Sequence, residues 1–172
     1  GSKVDPDQGT VTLIVLERGA SSRLAATFKP GEPIALMGPS GTAAHVPHNQ
    51  TLLVVADRIG ATGMRALGPA LHAAGNKVLF FMSFRNPGEV FCRDGFELYC
   101  DEIVWVSLDG EIKPGRAQDK SYTGDVRDAL KAYANGKLGG SFRFEDLDRL
   151  YFMGGGCLVQ RLRDLRHGEL KE

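Results

Sequence analysis

The chain has 172 residues, 42% of them hydrophobic and 24% charged, with 21 basic side chains balanced by 21 acidic ones. Neutrality, and the lack of a Lys/Arg stripe interleaved with aromatics, argue against nucleic acid as the main partner. No run reaches the ~18 apolar residues of a membrane-spanning helix, and no charged head followed by an apolar core marks a secretion signal. What is left is an ordinary globular chain, long enough for one sizeable core and a small second lobe.

Residues 9–16 (GTVTLIVL) alternate β-branched and apolar side chains and predict a strand. Residues 23–28 (RLAATF) predict a short helix with Leu24 and Phe28 on one face. A Pro30-Gly31 turn then leads to a second short strand at 33–37, closed by Gly38-Pro39-Ser40-Gly41. Two strands bury too little surface to stand alone, so this stretch is expected to be the tail end of a domain. From Thr51 the rhythm changes. Residues 52–55 (LLVV) suit a strand buried on both faces, and Met64, Leu67 and Leu71 follow at helical spacing. Residues 77–84 (KVLFFMSF) predict a second parallel strand, 94–100 a short helix and 102–108 (EIVWVSL) a third strand. A loop is predicted at 111–123 and a helix at 124–134, presenting Val126, Leu130 and Tyr133. A glycine-rich, mobile-looking loop at 135–142 precedes a fourth strand at 149–153 (RLYFM). That strand runs into Gly154-Gly155-Gly156 and a closing helix with Leu158, Leu162 and Leu165 on one side. Phe80, Phe81, Phe84 and Trp105 follow strand periodicity and are assigned to the core. Strands alternating with helices predict an α/β domain with a parallel sheet, helices on both faces and ligands at the strands' carboxyl ends.

Two glycine clusters fall at that edge. After the first parallel strand, Gly60, Ala61, Thr62 and Gly63 form a turn that lets the backbone approach a ligand, with free amides at a helix N-terminus that favour a phosphate. After the last strand, Gly154, Gly155 and Gly156 form a second such turn, or simply leave room for a tight one. Arg85, at the end of the second strand, reads as a partner for phosphate or ribose, or as a solvated surface charge. Asp57 reads as a strand-end carboxylate paired with Arg58 or capping a helix. Cys92, Cys100 and Cys157 form no CxxC pair and match no disulfide framework or metal ligand set, and His45, His48, His72 and His167 stand at no metal-like spacing. The expectation is no metal and a reducing, cytoplasmic setting, with Cys157 either a reactive thiol at a helix start or a buried structural one. Ser21, Ser22 and Ser40 have no His and Asp partners at a recognisable spacing, so no catalytic residue is assigned.

The order of these motifs resembles the ferredoxin-NADP reductase superfamily, in the branch containing the electron-transfer subunit of dihydroorotate dehydrogenase and the gamma subunits of sulfhydrogenases. The resemblance runs from about Gly9 to Leu165. Gly19-Ala20-Ser21-Ser22-Arg23-Leu24 is similar to the family's turn beside the FAD diphosphate, and Gly38-Pro39-Ser40-Gly41 to its GPLG turn between domains. Residues 55–64 lie in register with its VGGGxGxxPL, and Ser83-Phe84-Arg85 resembles its GxR. Gly124-Asp125-Val126 with Asp128 and Leu130 resembles its GxVxDxL helix start. Met153-Gly154-Gly155-Gly156-Cys157-Leu158 sits where it has CGPxxM, a turn that closes on the nicotinamide.

The resemblance implies a Rossmann-like NAD(P)-binding α/β domain over residues 42–172, preceded by the C-terminal fragment of an FAD-binding β-barrel over residues 1–41. It implies NAD(P) at Gly60, Ala61, Thr62, Gly63, Arg85, Gly154, Gly155 and Gly156 and, in the full-length protein, FAD beside Ser21 and Ser22. The activity implied is hydride and electron transfer between a nicotinamide nucleotide and a flavin, then onward to an electron-transfer protein or fused domain. The departures matter too. Ala56-Asp57-Arg58 replaces three glycines, Gly63 a proline and Met153 a cysteine. Side chains there obstruct a diphosphate's approach to the main chain, so a degenerate structural or docking domain is the alternative. An α/β domain for another phosphate-bearing ligand is a third reading. The family's RxY(S/T) flavin motif would precede residue 1, its cluster cysteines would follow residue 172, and Gly1-Ser2 resembles a tag-cleavage scar. A piece of a larger flavoprotein or multidomain fusion is therefore expected.

Overall fold

Runs of Val, Leu, Ile and aromatic residues make the strands here, and their burial shows which are central. The computed structural model describes residues 2–38, 40–156, 158–160 and 162–163. β3 (Thr51–Asp57), β4 (Lys77–Phe84) and β5 (Glu102–Ser107) are buried almost throughout, as strands covered on both faces must be. With β6 (Lys120–Thr123) and β7 (Arg149–Met153) they form a five-stranded parallel sheet in the order β6-β5-β4-β3-β7.

Period-two alternation splits the core. One face carries Leu52, Val54, Ala56, Phe80, Met82 and Trp105, covered by Met64 and Leu71 of α2 (Thr62–Ala73) and Phe96 of α3 (Arg93–Glu97). The other carries Leu53, Val55, Phe81 and Val104, covered by Val126, Leu130 and Tyr133 of α4 (Val126–Ala134) and by Leu158 and Leu162. Phe80, Phe81 and Trp105 are wholly buried and Phe84 nearly so, which makes all four core residues, as their periodicity predicts. Among the described residues no helix is long and apolar enough to cross a membrane.

The amino-terminal edge of the sheet is closed by carboxylates. Asp148, Asp101 and Asp119 accept from the amides of Thr51, Val78 and Ile103 at 2.8, 2.7 and 3.0 Å, pairing strand-start donors that have no ladder partner. Buried Glu102 accepts from the Tyr133 hydroxyl and the Ser141 amide, both at 2.9 Å, and from the Ser141 hydroxyl. The glycine-rich loop 135–142, mobile-looking in the sequence, is thereby pinned to the sheet.

Several elements differ from expectation. β6 lies inside the predicted 111–123 loop: it is a polar strand that exists because β5 offers it an open edge. Residues 33–37 form no strand, since no neighbouring ladder receives them, and Ile34, Leu36 and Met37 are exposed. Upstream, β1 (Ser2–Asp5) pairs antiparallel with β2 (Thr10–Leu13), a shorter segment of the predicted strand. This small sheet fits the remnant of a barrel. The short helix α1 (Ala20–Ala25) begins three residues before the predicted one, with Ser22 inside it. Leu165, His167 and Cys157 lie outside the described residues.

Candidate functional site

Chain order locates the site. From β3 the chain adds β4, β5 and β6 in one direction, then returns to place β7 on the other side of β3. α2, after β3, packs on one face, while Leu158 and Leu162, after β7, pack on the other. The turns leaving β3 and β7 therefore diverge from adjacent strands, the switch point at which open α/β sheets bind ligands. Both sequence-predicted glycine clusters stand there.

The two turns are packed on each other. A Cβ at Gly60 would lie 1.8 Å from the Met153 carbonyl oxygen, so the first turn sits directly on the end of β7. A Cβ at Gly154 would lie 2.6 Å from Asp57 Oδ2. The Asp57 carboxylate fills the space between them. Its Oδ1 accepts from the Gly60 amide at 2.7 Å, and its Oδ2 from the Gly155 amide at 2.8 Å. Asp57 is thus partnered by main-chain amides of two turns, and Arg58 is partnered elsewhere.

The remaining amides of the first turn are also spoken for. Ala61 N donates to Asp57 O, Thr62 N to Ile59 O, Gly63 N to Gly60 O and Met64 N to Ala61 O, at 2.8–3.2 Å. The turn is already helical, so the free donors read from the sequence are consumed within it. Ala61 and Thr62 are buried, and the Thr62 hydroxyl donates to Ile59 O at 2.6 Å. Gly63 faces the Met153 sulfur, while Gly155 and Gly156 are exposed.

Basic groups stand beside the turns. Arg58 Nη1 lies 2.6 Å from Glu89 Oε1, and Glu89 Oε2 accepts from the Arg85 amide at 3.0 Å. This joins the ends of β3 and β4, with Arg85 exposed. Glu89 went unassigned in the sequence. Its signal is Asn86-Pro87, a turn capped by Asn86 accepting from Gly88 N, which folds Glu89 back over the strand end. Ser21 and Ser22 belong to α1 in the N-terminal segment. Ser22 Oγ accepts from Arg18 N and Gly19 N, at 2.9 and 3.0 Å, so it caps its own helix. Among the described residues no cluster of His, Cys, Asp and Glu is placed to hold a metal ion. An apolar cavity of about 550 Å³ lies away from the turns, against the α4 face of β7, lined by Leu53, Leu130, Phe144 and Phe152 among others.

No protein-family model matches the chain. It is 28% identical over 137 residues to the electron transfer subunit of dihydroorotate dehydrogenase B (NAD(+)) from Fusobacterium nucleatum, covering 78% of this chain and 51% of that protein. The corresponding subunit of Geobacillus kaustophilus is 26% identical over 119 residues, covering 67% and 46%. The chain is a homologue of these electron-transfer subunits. It spans about half of their length. A solved NADH-dependent reduced ferredoxin-NADP oxidoreductase, studied for flavin-based electron bifurcation, shares the fold: the TM-score is 0.68 at 19% identity, covering 96% of this chain and 55% of that one. In this chain the space between the two turns is filled by the chain's own carboxylate.

An anion cradle is recognisable in the donor set, but its occupant is internal. Gly60 N and Gly155 N, two donors of the kind an anion takes at such a turn, are both held by Asp57.

Proposed function

We propose that this chain supplies the nicotinamide-nucleotide-binding half of a flavin-dependent oxidoreductase, with residues 42–172 as the NAD(P) domain and residues 1–41 as the end of an FAD-binding barrel. The observation that carries the reading is the meeting of two glycine turns at the switch point between β3 and β7 in a homologue of electron-transfer subunits. Gly154, Gly155, Gly156 and Arg85 are the exposed members of the proposed NAD(P) set, Ala61 and Thr62 its buried supports, and Gly60 and Gly63 its spacers. Ser21 and Ser22 are proposed to lie beside FAD in the full-length protein. The cofactors supply the hydride and electron chemistry; the protein's part is to hold them in contact and exclude water. The partner is an electron-transfer protein or a fused domain.

One observation favours a second reading, a docking domain that no longer binds nucleotide: the Asp57 carboxylate holds the amides a diphosphate would need. Calorimetric titration of the chain with NADH, NADPH and ADP-ribose separates these. Saturable binding of either dinucleotide supports the reductase reading. Binding of ADP-ribose alone points to another phosphate ligand, and silence leaves the docking domain.

A further inference from the structure

We infer that Asp57 is a built-in anion that latches the nucleotide cleft shut, so that a dinucleotide enters only when this carboxylate swings out from between the two glycine turns. The inference rests on the reductase reading and adds a regulation to its site. The geometry is specific. One oxygen takes the amide three residues ahead and the other an amide 98 residues away, so a single carboxylate bridges the two turns. Gly154 leaves the room: a methyl group there would collide with Oδ2 at 2.6 Å and Cγ at 2.7 Å. The contact is reversible in principle because Asp57 is half-buried, its bond to Gly155 is exposed, and among the described residues no cation pairs with it. Arg58, the adjacent guanidinium, is drawn off by Glu89 at 2.6 Å. The carboxylate is thus held by the same class of donor a phosphate oxygen would use, and the two anions exclude each other by charge and by volume.

The test compares the chain with Asp57→Gly and Asp57→Asn. Removing the side chain empties the cradle, whereas the amide isostere keeps the shape and discards the charge. NADH and ADP-ribose affinities are measured by calorimetry, and exchange of the Gly60 and Gly155 amides by NMR. The latch predicts at least tenfold tighter binding in Asp57→Gly, a smaller gain in Asp57→Asn, and faster exchange of both amides in both variants. It also predicts that stability falls while affinity rises; a merely structural aspartate would lower both. Equal or weaker binding by the variants, where the parent chain binds, overturns the latch and leaves the proposed function standing. Unchanged protection of Gly155 overturns it as well. If the released amides bind neither probe in any variant, the proposed function fails and the latch with it.

Discussion

Replacing Gly60 by alanine tests the packing of the two turns directly. The new Cβ would stand 1.8 Å from the Met153 carbonyl oxygen, 2.2 Å from its carbon and 2.7 Å from the Gly154 amide nitrogen, all main-chain atoms that no side-chain rotation can move. Reaching an ordinary contact of about 3.4 Å from 1.8 Å requires the turn to retreat from β7 by roughly 1.6 Å. The Asp57 bonds to Gly60 and Gly155, 2.7 and 2.8 Å long, cannot both survive that shift. A hydrogen bond to a charged group contributes about 1.5–3 kcal/mol; with water replacing part of the loss at this half-exposed site, the expected cost is about 2–4 kcal/mol. Trp105, wholly buried and the single tryptophan of the chain, reports urea unfolding by its fluorescence. Two glycines serve as controls. A Cβ at Gly63 meets only the flexible Met153 sulfur at 3.1 Å, and one at Gly156 meets open space, so both alanine variants should stay within about 1 kcal/mol of the parent. A Gly60→Ala midpoint as close to the parent as the controls would refute the packing argument.

Three further outcomes are expected. Tyr133→Phe removes the hydroxyl that donates to buried Glu102 at 2.9 Å and accepts from Phe142 N at 3.1 Å; it should cost about 2–4 kcal/mol in urea and speed hydrogen exchange across 135–142. Burial pushes the Cys100 thiol far above its usual range, with Arg116 opposing and Asp101 and Asp119 assisting. Because the folded state holds this proton longer than the unfolded one, the thiol's contribution is intact below about pH 8.5 and is lost at about 1.4 kcal/mol per pH unit above it. Unfolding midpoints between pH 8 and 10 should fall more steeply in the parent than in Cys100→Ala, and exposed Cys92 should react with a thiol reagent while Cys100 does not. Finally, Glu89→Gln frees Arg58 and removes the negative charge bonded to the Arg85 amide; under the proposed function, calorimetry should show NADPH binding strengthened relative to NADH, and an unchanged ratio would remove Glu89 from cofactor choice.

Much of the fold is legible in the chain because its signals are local. β4 and β7 occupy the predicted residues, since an apolar run bounded by turn residues needs no neighbour to identify it. The assignment of Phe80, Phe81 and Trp105 to the core follows from period-two alternation in the same way. Pairing is not local. Residues 120–123 are a strand because β5 presents an edge, and residues 33–37, with a better strand pattern, are not, because nothing pairs with them.

The site divides along the same line. Composition and order alone determined that an α/β sheet would bring two glycine turns to its carboxyl edge, with a carboxylate and a guanidinium planted in the first. Only the tertiary structure decided what those side chains do. The Gly155 amide lies 98 residues from Asp57 and reaches it because β7 inserts beside β3. Glu89 draws Arg58 away through a turn on the other neighbouring strand. The direction of a charge in a turn depends on which donors the fold carries to it, and those donors come from distant parts of the chain.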